Sequence, residues 1–159
     1  MPNTQPEHAF AFQNPGILRD GELELILVAA QCDPELHGVP TYHFEMQNRL
    51  TAERTAMGTI RLRIGSANDR LRFAGHLGYD VTPEHRGHRY SARSIRLLLP
   101  LARKHGLKAL WLGCDPGNRA SRRICELVGA CLIETVRVPP SAPMYKEGHR
   151  FLCRYRLDI

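Results

Sequence analysis

The hydrophobic period of this chain switches once, and the switch limits what it can fold into. Between residues 22 and 81, apolar side chains recur at every second position. "ELELILVAAQ" (22–31) alternates and then becomes apolar throughout. "TYHFEMQN" (41–48) sets Tyr42, Phe44 and Met46 against polar neighbours. "AMGTIRLRIG" (56–65) sets Ile60, Leu62 and Ile64 against Arg61 and Arg63, and "RFAGHLGYDV" (72–81) closes the series. A period of two is that of half-buried strands. From Ser91 to Lys104 the period becomes helical. Ser91, Ile95, Leu98, Leu99 and Ala102 share one face, and Arg89, Arg93, Arg96 and Arg103 fall mainly elsewhere. Pro100 lies inside this pattern and predicts a kinked or shortened helix, with Gly106 ending it.

The rest alternates between element types. "LKALWLGC" (107–114) is the nearly continuous apolar run of a strand covered on both faces. "DPGNRASRRICELVG" (115–129) is a turn and then a helix, capped near Asn118 and closed by Gly129. "ACLIETVRV" (130–138) is a strand, 139–148 a long loop and "HRFLCRYRLDI" (149–159) a last alternating strand. Strands therefore come first, then a β-α-β-α-β half, then a closing hairpin, which is an α/β or α+β fold with a mixed sheet. Residues 1–20 are polar and hold Pro2, Pro6 and Pro15; they are expected to form a loosely ordered arm with a short helix, ahead of one domain over 21–159. Gly75 and Gly78 mark places where another group approaches the fourth strand closely.

Charge is concentrated. The formal net charge is +6, and 19 of the 22 basic residues are arginine. From Arg86 to Arg123 there are eight Arg and two Lys against one acid, Asp115. That density suits a polyanionic partner, and the planar guanidinium suits phosphate. Nucleic acid is the weaker choice, because no aromatic stripe is interleaved with the basic residues. Cys32, Cys114, Cys125, Cys131 and Cys153 show no metal-ligand spacing and read as reduced core thiols of a cytoplasmic protein. No signal segment and no membrane span is expected.

The densest basic stretch, "EHRGHRYSAR" (84–93), sits between a strand end and a helix start. The first amides of a helix lack internal partners and carry the positive end of its dipole, so a turn that aims them at one point binds anions. Arg86, His88 and Arg89 add charge there.

From Gly78 to Ala130 the chain resembles the core of the GNAT superfamily of acyl-CoA-dependent N-acyltransferases. The resemblance rests on Val81 and Pro83, on Arg86-Gly87-His88-Arg89-Tyr90-Ser91 opening a helix, on the apolar strand Leu110 to Cys114, and on Asn118 and Ser121 before Gly129, in that order. It implies a largely antiparallel sheet of about six or seven strands, flanked by helices, with the fourth and fifth strands splayed. It implies acetyl-CoA as cofactor, with the loop amides of His88 to Ser91 on the pyrophosphate, the Val81 backbone on the pantetheine arm, and Asn118 facing the same cleft. It implies direct transfer of acetyl to a primary amine of a small molecule or a protein. A homodimer is expected, paired through the last strand.

Two departures weigh on that reading. Arg89 stands where the family has a second glycine, and Ser91 where it has Gly or Ala. Arg89 keeps an amide nest only with negative φ or with accepted strain; its side chain then either clamps phosphate or fills the site. Cys125 stands where many members carry a tyrosine that protonates the leaving thiolate. These departures motivate an alternative, a catalytically degenerate fold that binds CoA or a partner. For an active enzyme, a base must take the ammonium proton and a donor must face the acyl oxygen. The candidates for the base are His76 and Asp80, which share a strand face, with Glu84 and His85 on the loop; Tyr145 is a candidate for the acceptor cleft.

Overall fold

The first described residues dock on an aromatic cluster. The computed structural model describes residues 9–66 and 71–159. Phe12 packs edge-on against Tyr42 (5.2 Å), Phe10 stacks on His105 (5.0 Å), and the Gln13 N–H donates to the Tyr42 hydroxyl at 2.7 Å. The segment from Phe10 is thus held by an aromatic cluster instead of forming a loose arm. No helix forms between residues 9 and 17, and residues 1–8 lie outside the described residues.

β1 (Leu18–Asp20), β2 (Leu23–Asp33), β3 (Val39–Asn48), β4 (Ala56–Arg63) and β5 (Leu77–Val81) form one sheet in chain order, every pairing antiparallel. The register places Tyr42, Leu62 and Leu77 in one row and Phe44, Ile60 and Tyr79 in the next. These rows face α1 (Tyr90–Lys104), whose Ile95, Leu98, Leu101 and Ala102 are buried in the same core. Alternation sends His43, Arg61, Arg63, Gly78 and Asp80 to the opposite face. α1 runs unbroken through Pro100, contrary to the expected shortening. Pro100 is exposed while Leu98, Leu101 and Ala102 are buried, so packing on the far side outweighs one missing ladder bond. Gly106 follows the helix with φ +79°.

β6 (Ala109–Cys114), β7 (Cys131–Arg137) and β8 (Phe151–Asp158) form a second, smaller sheet in the order β6-β8-β7, again antiparallel. α2 (Arg119–Leu127) joins β6 to β7, and the loop before β8 holds a single turn, α3 (Pro143–Lys146). β8 therefore lies in the middle of its sheet with both edges taken. A dimer paired through this strand would have to displace β6 or β7.

The fourth strand is shorter than its alternation predicts, since residues 71–74 form a turn and β5 starts at Leu77. Gly75 explains the break. Its φ is +69°, and a Cβ there would sit 2.6 Å from the Trp111 carbonyl oxygen. Both glycines singled out in this segment do meet a close neighbour, because a Cβ on Gly78 would lie 3.2 Å from the Arg63 guanidinium. Cys114, Cys125 and Cys153 are buried and Cys32 and Cys131 exposed, all as free thiols. Among the described residues, no helix is long and apolar enough to cross a membrane.

Candidate active site

β5 and β6 touch at one point and then separate. The His76 N–H donates to the Trp111 carbonyl (2.8 Å), and the Trp111 N–H donates to His76 Nδ1 (2.9 Å). That bond requires the Nε2–H tautomer, and Nε2 donates to the Gly65 carbonyl at 2.8 Å. Burial pushes the His76 pKa down, with the Gly65 bond opposing and Arg63 assisting. His76 is 2% exposed and both its ring nitrogens are used. It is a neutral pin that ties the two sheets together, with no lone pair left for a substrate proton. The sequence-based role of His76 as a base is corrected accordingly.

Beyond the pin, β5 is an open edge. The His76 carbonyl accepts from Arg63 and the Thr82 N–H donates to Met57, so even-numbered residues of β5 bond to β4. Antiparallel alternation then turns the N–H and C=O groups of Tyr79 and Val81 away from β4, toward the gap. A cleft of about 680 Å³ occupies that gap, lined by this edge, the 85–91 loop and one face of α2.

The loop is built for close approach by its backbone. Pro83–His85 make one 3-10 turn, with His85 Nδ1 2.7 Å from Thr82 Oγ1. Gly87 has φ +90°, and a Cβ there would meet nothing within 4 Å. Arg89, the residue before α1, has φ +60° and ψ 29°. It therefore adopts the left-handed conformation of the glycine it replaces, at a cost of about 1 kcal/mol or more. No side chain caps this end of α1, so its first amides stay available. Arg86 Nε donates to the Val81 carbonyl at 3.1 Å, joining loop to strand. Behind the loop, Arg93 bonds Asp20 Oδ2 (2.7 Å), Glu22 Oε1 (2.9 Å) and the Asp20 carbonyl (2.7 Å), while Tyr90 donates to Glu22 Oε1 (2.8 Å). Hydrogen bonds from Arg93, then from its own backbone and Tyr90, hold the Glu22 carboxyl down to about 2. This network clamps the first turn of α1 to the β1–β2 hairpin.

At the far wall, Asn118 Oδ1 accepts the Ser121 N–H at 3.1 Å and caps α2. The Tyr79 hydroxyl lies 2.9 Å from Ser121 Oγ. Burial, reinforced by the neighbouring Cys125 thiol, pushes the Tyr79 pKa up, so the phenol is protonated at neutral pH. Cys125, at the position of the family tyrosine, is fully buried, and the phenol near it comes from β5 instead. A hydrogen bond from Cys125 holds the Cys114 thiol down to about 7, and Cys125 is pushed up in return.

A second cavity of about 730 Å³ opens on the other side of the same wall. The two meet at Tyr79, Asn118 and Ser121, which line both. His149 Nδ1 lies 3.2 Å from Asp115 Oδ2, and Nε2 lies 4.0 Å from Glu147 Oε2, all three on the wall of the second cavity. The Gly117 N–H, and then His149, hold the Asp115 carboxyl below its usual range.

Most residues expected at a cofactor site converge here: Val81, Arg86, Gly87, Arg89, Tyr90, Ser91, Asn118 and Ser121 line the first cavity. His88 does not, and stacks on the Tyr90 ring at 5.3 Å. Asp80 borders the first cavity on its exposed side, and the exposed Glu84 lines neither. Tyr145 lies under the Arg150 guanidinium (3.7 Å) and also lines neither. Sequence reading missed Tyr79 and the Asp115–His149 pair. The first was legible only as a core-facing strand residue, and the second joins positions 34 apart.

The domain model described as an acetyltransferase (GNAT) domain matches residues 11–130. The sequence matches none of the curated proteins. Among solved structures, a protein assigned as a ribosomal-protein-serine acetyltransferase from Vibrio cholerae superposes with a TM-score of 0.64 at 15% identity, over 92% of this chain and 100% of that one. The microcin self-immunity acetyltransferase MccE, solved with acetyl-CoA and AMP, gives 0.58 at 15% identity, over 75% and 61%. An acetyltransferase from Salmonella typhimurium that modifies the N-terminal serine of a 50S ribosomal subunit protein gives 0.57 at 14%, over 77% and 66%. The chain thus spans just under two thirds of the length of the latter two, and identities this low speak for the shared fold. With the family match covering three quarters of its length, the chain belongs to the GNAT acetyltransferase family.

Proposed function

We propose that the protein transfers acetyl from acetyl-CoA directly to a primary amine. The carrying observation is that two cavities meet at Tyr79, Asn118 and Ser121, on the open edge of β5. The first cavity suits CoA on its own geometry: uncapped helix amides, left-handed positions at Gly87 and Arg89 on either side of His88, and an arginine-rich rim. Acetyl-CoA, when bound, supplies the activated thioester. The amides of Arg89 to Ser91 hold the pyrophosphate, and the backbone groups of Tyr79 and Val81 hold the pantetheine arm. An open N–H on this edge faces the acyl oxygen. The Tyr79 phenol, oriented by Ser121, donates a hydrogen bond toward the sulfur.

The second cavity takes the acceptor. His149 Nδ1–H donates to Asp115, which leaves the Nε2 lone pair to accept the ammonium proton. Five unpaired cysteines fit a reducing compartment, and we place the protein in the cytoplasm. Arg89 keeps the glycine-like φ, which favours binding over the degenerate alternative. Calorimetry with acetyl-CoA tests the reading, followed by CoA release with an amine panel. Saturable heat at micromolar acetyl-CoA is expected; none at millimolar concentration overturns it.

A further inference from the structure

The outer face of β4 holds a buried guanidinium, Arg63, that has no counter-ion among the described residues. Arg63 is 9% exposed, and its Nε has no hydrogen-bond partner. Nη1 reaches only carbonyls, Ala74 and Gly75, each at 3.3 Å. Among the described residues, no carboxylate lies within ion-pair distance of it. A buried charge and an orphan donor are both costly, and such a group is retained where something supplies the missing acceptor. Burial pushes the Arg63 pKa down, Arg61 adds to this and Asp33 opposes it.

The surroundings show where the guanidinium is presented. It lies against Gly78, where a Cβ would stand 3.2 Å from Nη2 and 3.7 Å from Cζ, so the glycine leaves room for it. Arg61, Arg63 and Gly78 all line the acceptor cavity. That cavity is lined by charges of both signs: the arginines on β4, and Asp115 and Glu147 around His149. Asp33 and Glu35 also border it; Glu35 is exposed, and Asp33 Oδ1 already accepts the Glu35 N–H at 2.9 Å.

We infer that the acceptor amine also carries a carboxylate, and that Arg63 binds it. The inference rests on the acyl-transfer reading for the identity of the second cavity as the acceptor site. A carboxylate supplies an acceptor for the guanidinium N–H groups and the opposite charge that no described residue brings within ion-pair distance. Gly78 and Tyr79 are consecutive on β5 and both line this cavity, so the bound carboxylate and the acyl group meet neighbouring residues of one strand. Amine and carboxylate are therefore only a few bonds apart, as in a free amino acid. Asp115 and Glu147, on the wall of the same cavity, attract the ammonium.

The test follows the Arg63 Nε–H resonance of the full chain while sodium benzoate, benzamide or inorganic phosphate is added. A saturable downfield shift with benzoate and none with benzamide is expected. No benzoate shift, an equal shift with benzamide, or tighter binding of phosphate overturns the inference. Gly78→Ala crowds the guanidinium without removing it and is expected to weaken benzoate binding about fivefold or more, with acetyl-CoA affinity unchanged. In turnover, amino acids are expected to exceed their own carboxamides by about tenfold or more in kcat/KM. Equal rates count against Arg63 alone, whereas failure of acetyl-CoA to bind counts against the acyl-transfer reading.

Discussion

His76 Nδ1 accepts the Trp111 N–H at 2.9 Å, at the one point where β5 and β6 meet before they part. This ring stands in for a rung of sheet. His76→Ala leaves the part-buried Trp111 N–H and Gly65 carbonyl without these partners and opens a cavity in their place, a loss of about 2–4 kcal/mol. A fall in melting temperature of about 5–12 °C is expected for a chain of this size. The pH profile of turnover, measured below the melting range, is expected to keep its shape. Loss of its ascending limb would restore His76 as a base.

Tyr79 and Ser121 form the bond shared by the two cavities, at 2.9 Å. Tyr79→Phe removes the phenol that donates toward the sulfur. A drop in kcat of about tenfold or more is expected, with acetyl-CoA affinity within a factor of about two. Ser121→Ala leaves the phenol misoriented and lowers kcat less. The double variant is expected to lose less than the sum of the two, which a double-mutant cycle measures.

Arg89 combines a strained backbone with a charge beside the cleft. Arg89→Gly relieves the strain and is expected to raise stability by about 0.5–1 kcal/mol, net of the added freedom of the unfolded chain. The same change removes one cation from the pyrophosphate site. Acetyl-CoA binding is expected to weaken about three- to tenfold, with a smaller salt dependence. Tighter binding by calorimetry would show that the side chain obstructs.

Glu22 titrates at about 2 because Arg93 and Tyr90 bond its ionised form. Its folded pKa lies below the unfolded value of about 4.3, so its contribution is complete above that value and is lost as pH falls toward 2. Thermal melts between pH 6 and pH 2.5 are expected to show this decline. In Glu22→Gln the decline is shallower, and at pH 7 the variant is less stable by about 1–2 kcal/mol, a figure reduced for partial exposure.

Much of the fold is legible from spacing alone. Alternation around Tyr42, Phe44, Ile60 and Leu62 names the core face of the sheet, because successive strand side chains point to opposite sides. The α1 helix, its Gly106 stop and the Asn118 cap follow from local rules in the same way. The errors share one cause. Residues 72–76 alternate like a strand, but Gly75 must clear the Trp111 carbonyl, which is distant in sequence. Pro100 argues locally for a break, and burial of Leu98 and Leu101 overrides it. Arg89 argues locally against a left-handed turn, yet the strand before it and the helix after it hold it there.

By itself the sequence determined the order of elements, the apolar faces and the place of the basic loop before α1, since these depend on near neighbours and on the φ and ψ each residue tolerates. Only the tertiary structure decided which polar groups work together. Tyr79 meets Ser121 across 42 residues, His149 meets Asp115 across 34, and Arg63 lies on Gly78. Those meetings are set by sheet register and by the point at which β5 and β6 separate. A one-residue slip in register would send Tyr79 to the opposite face, and no local pattern in the chain encodes where the two sheets part.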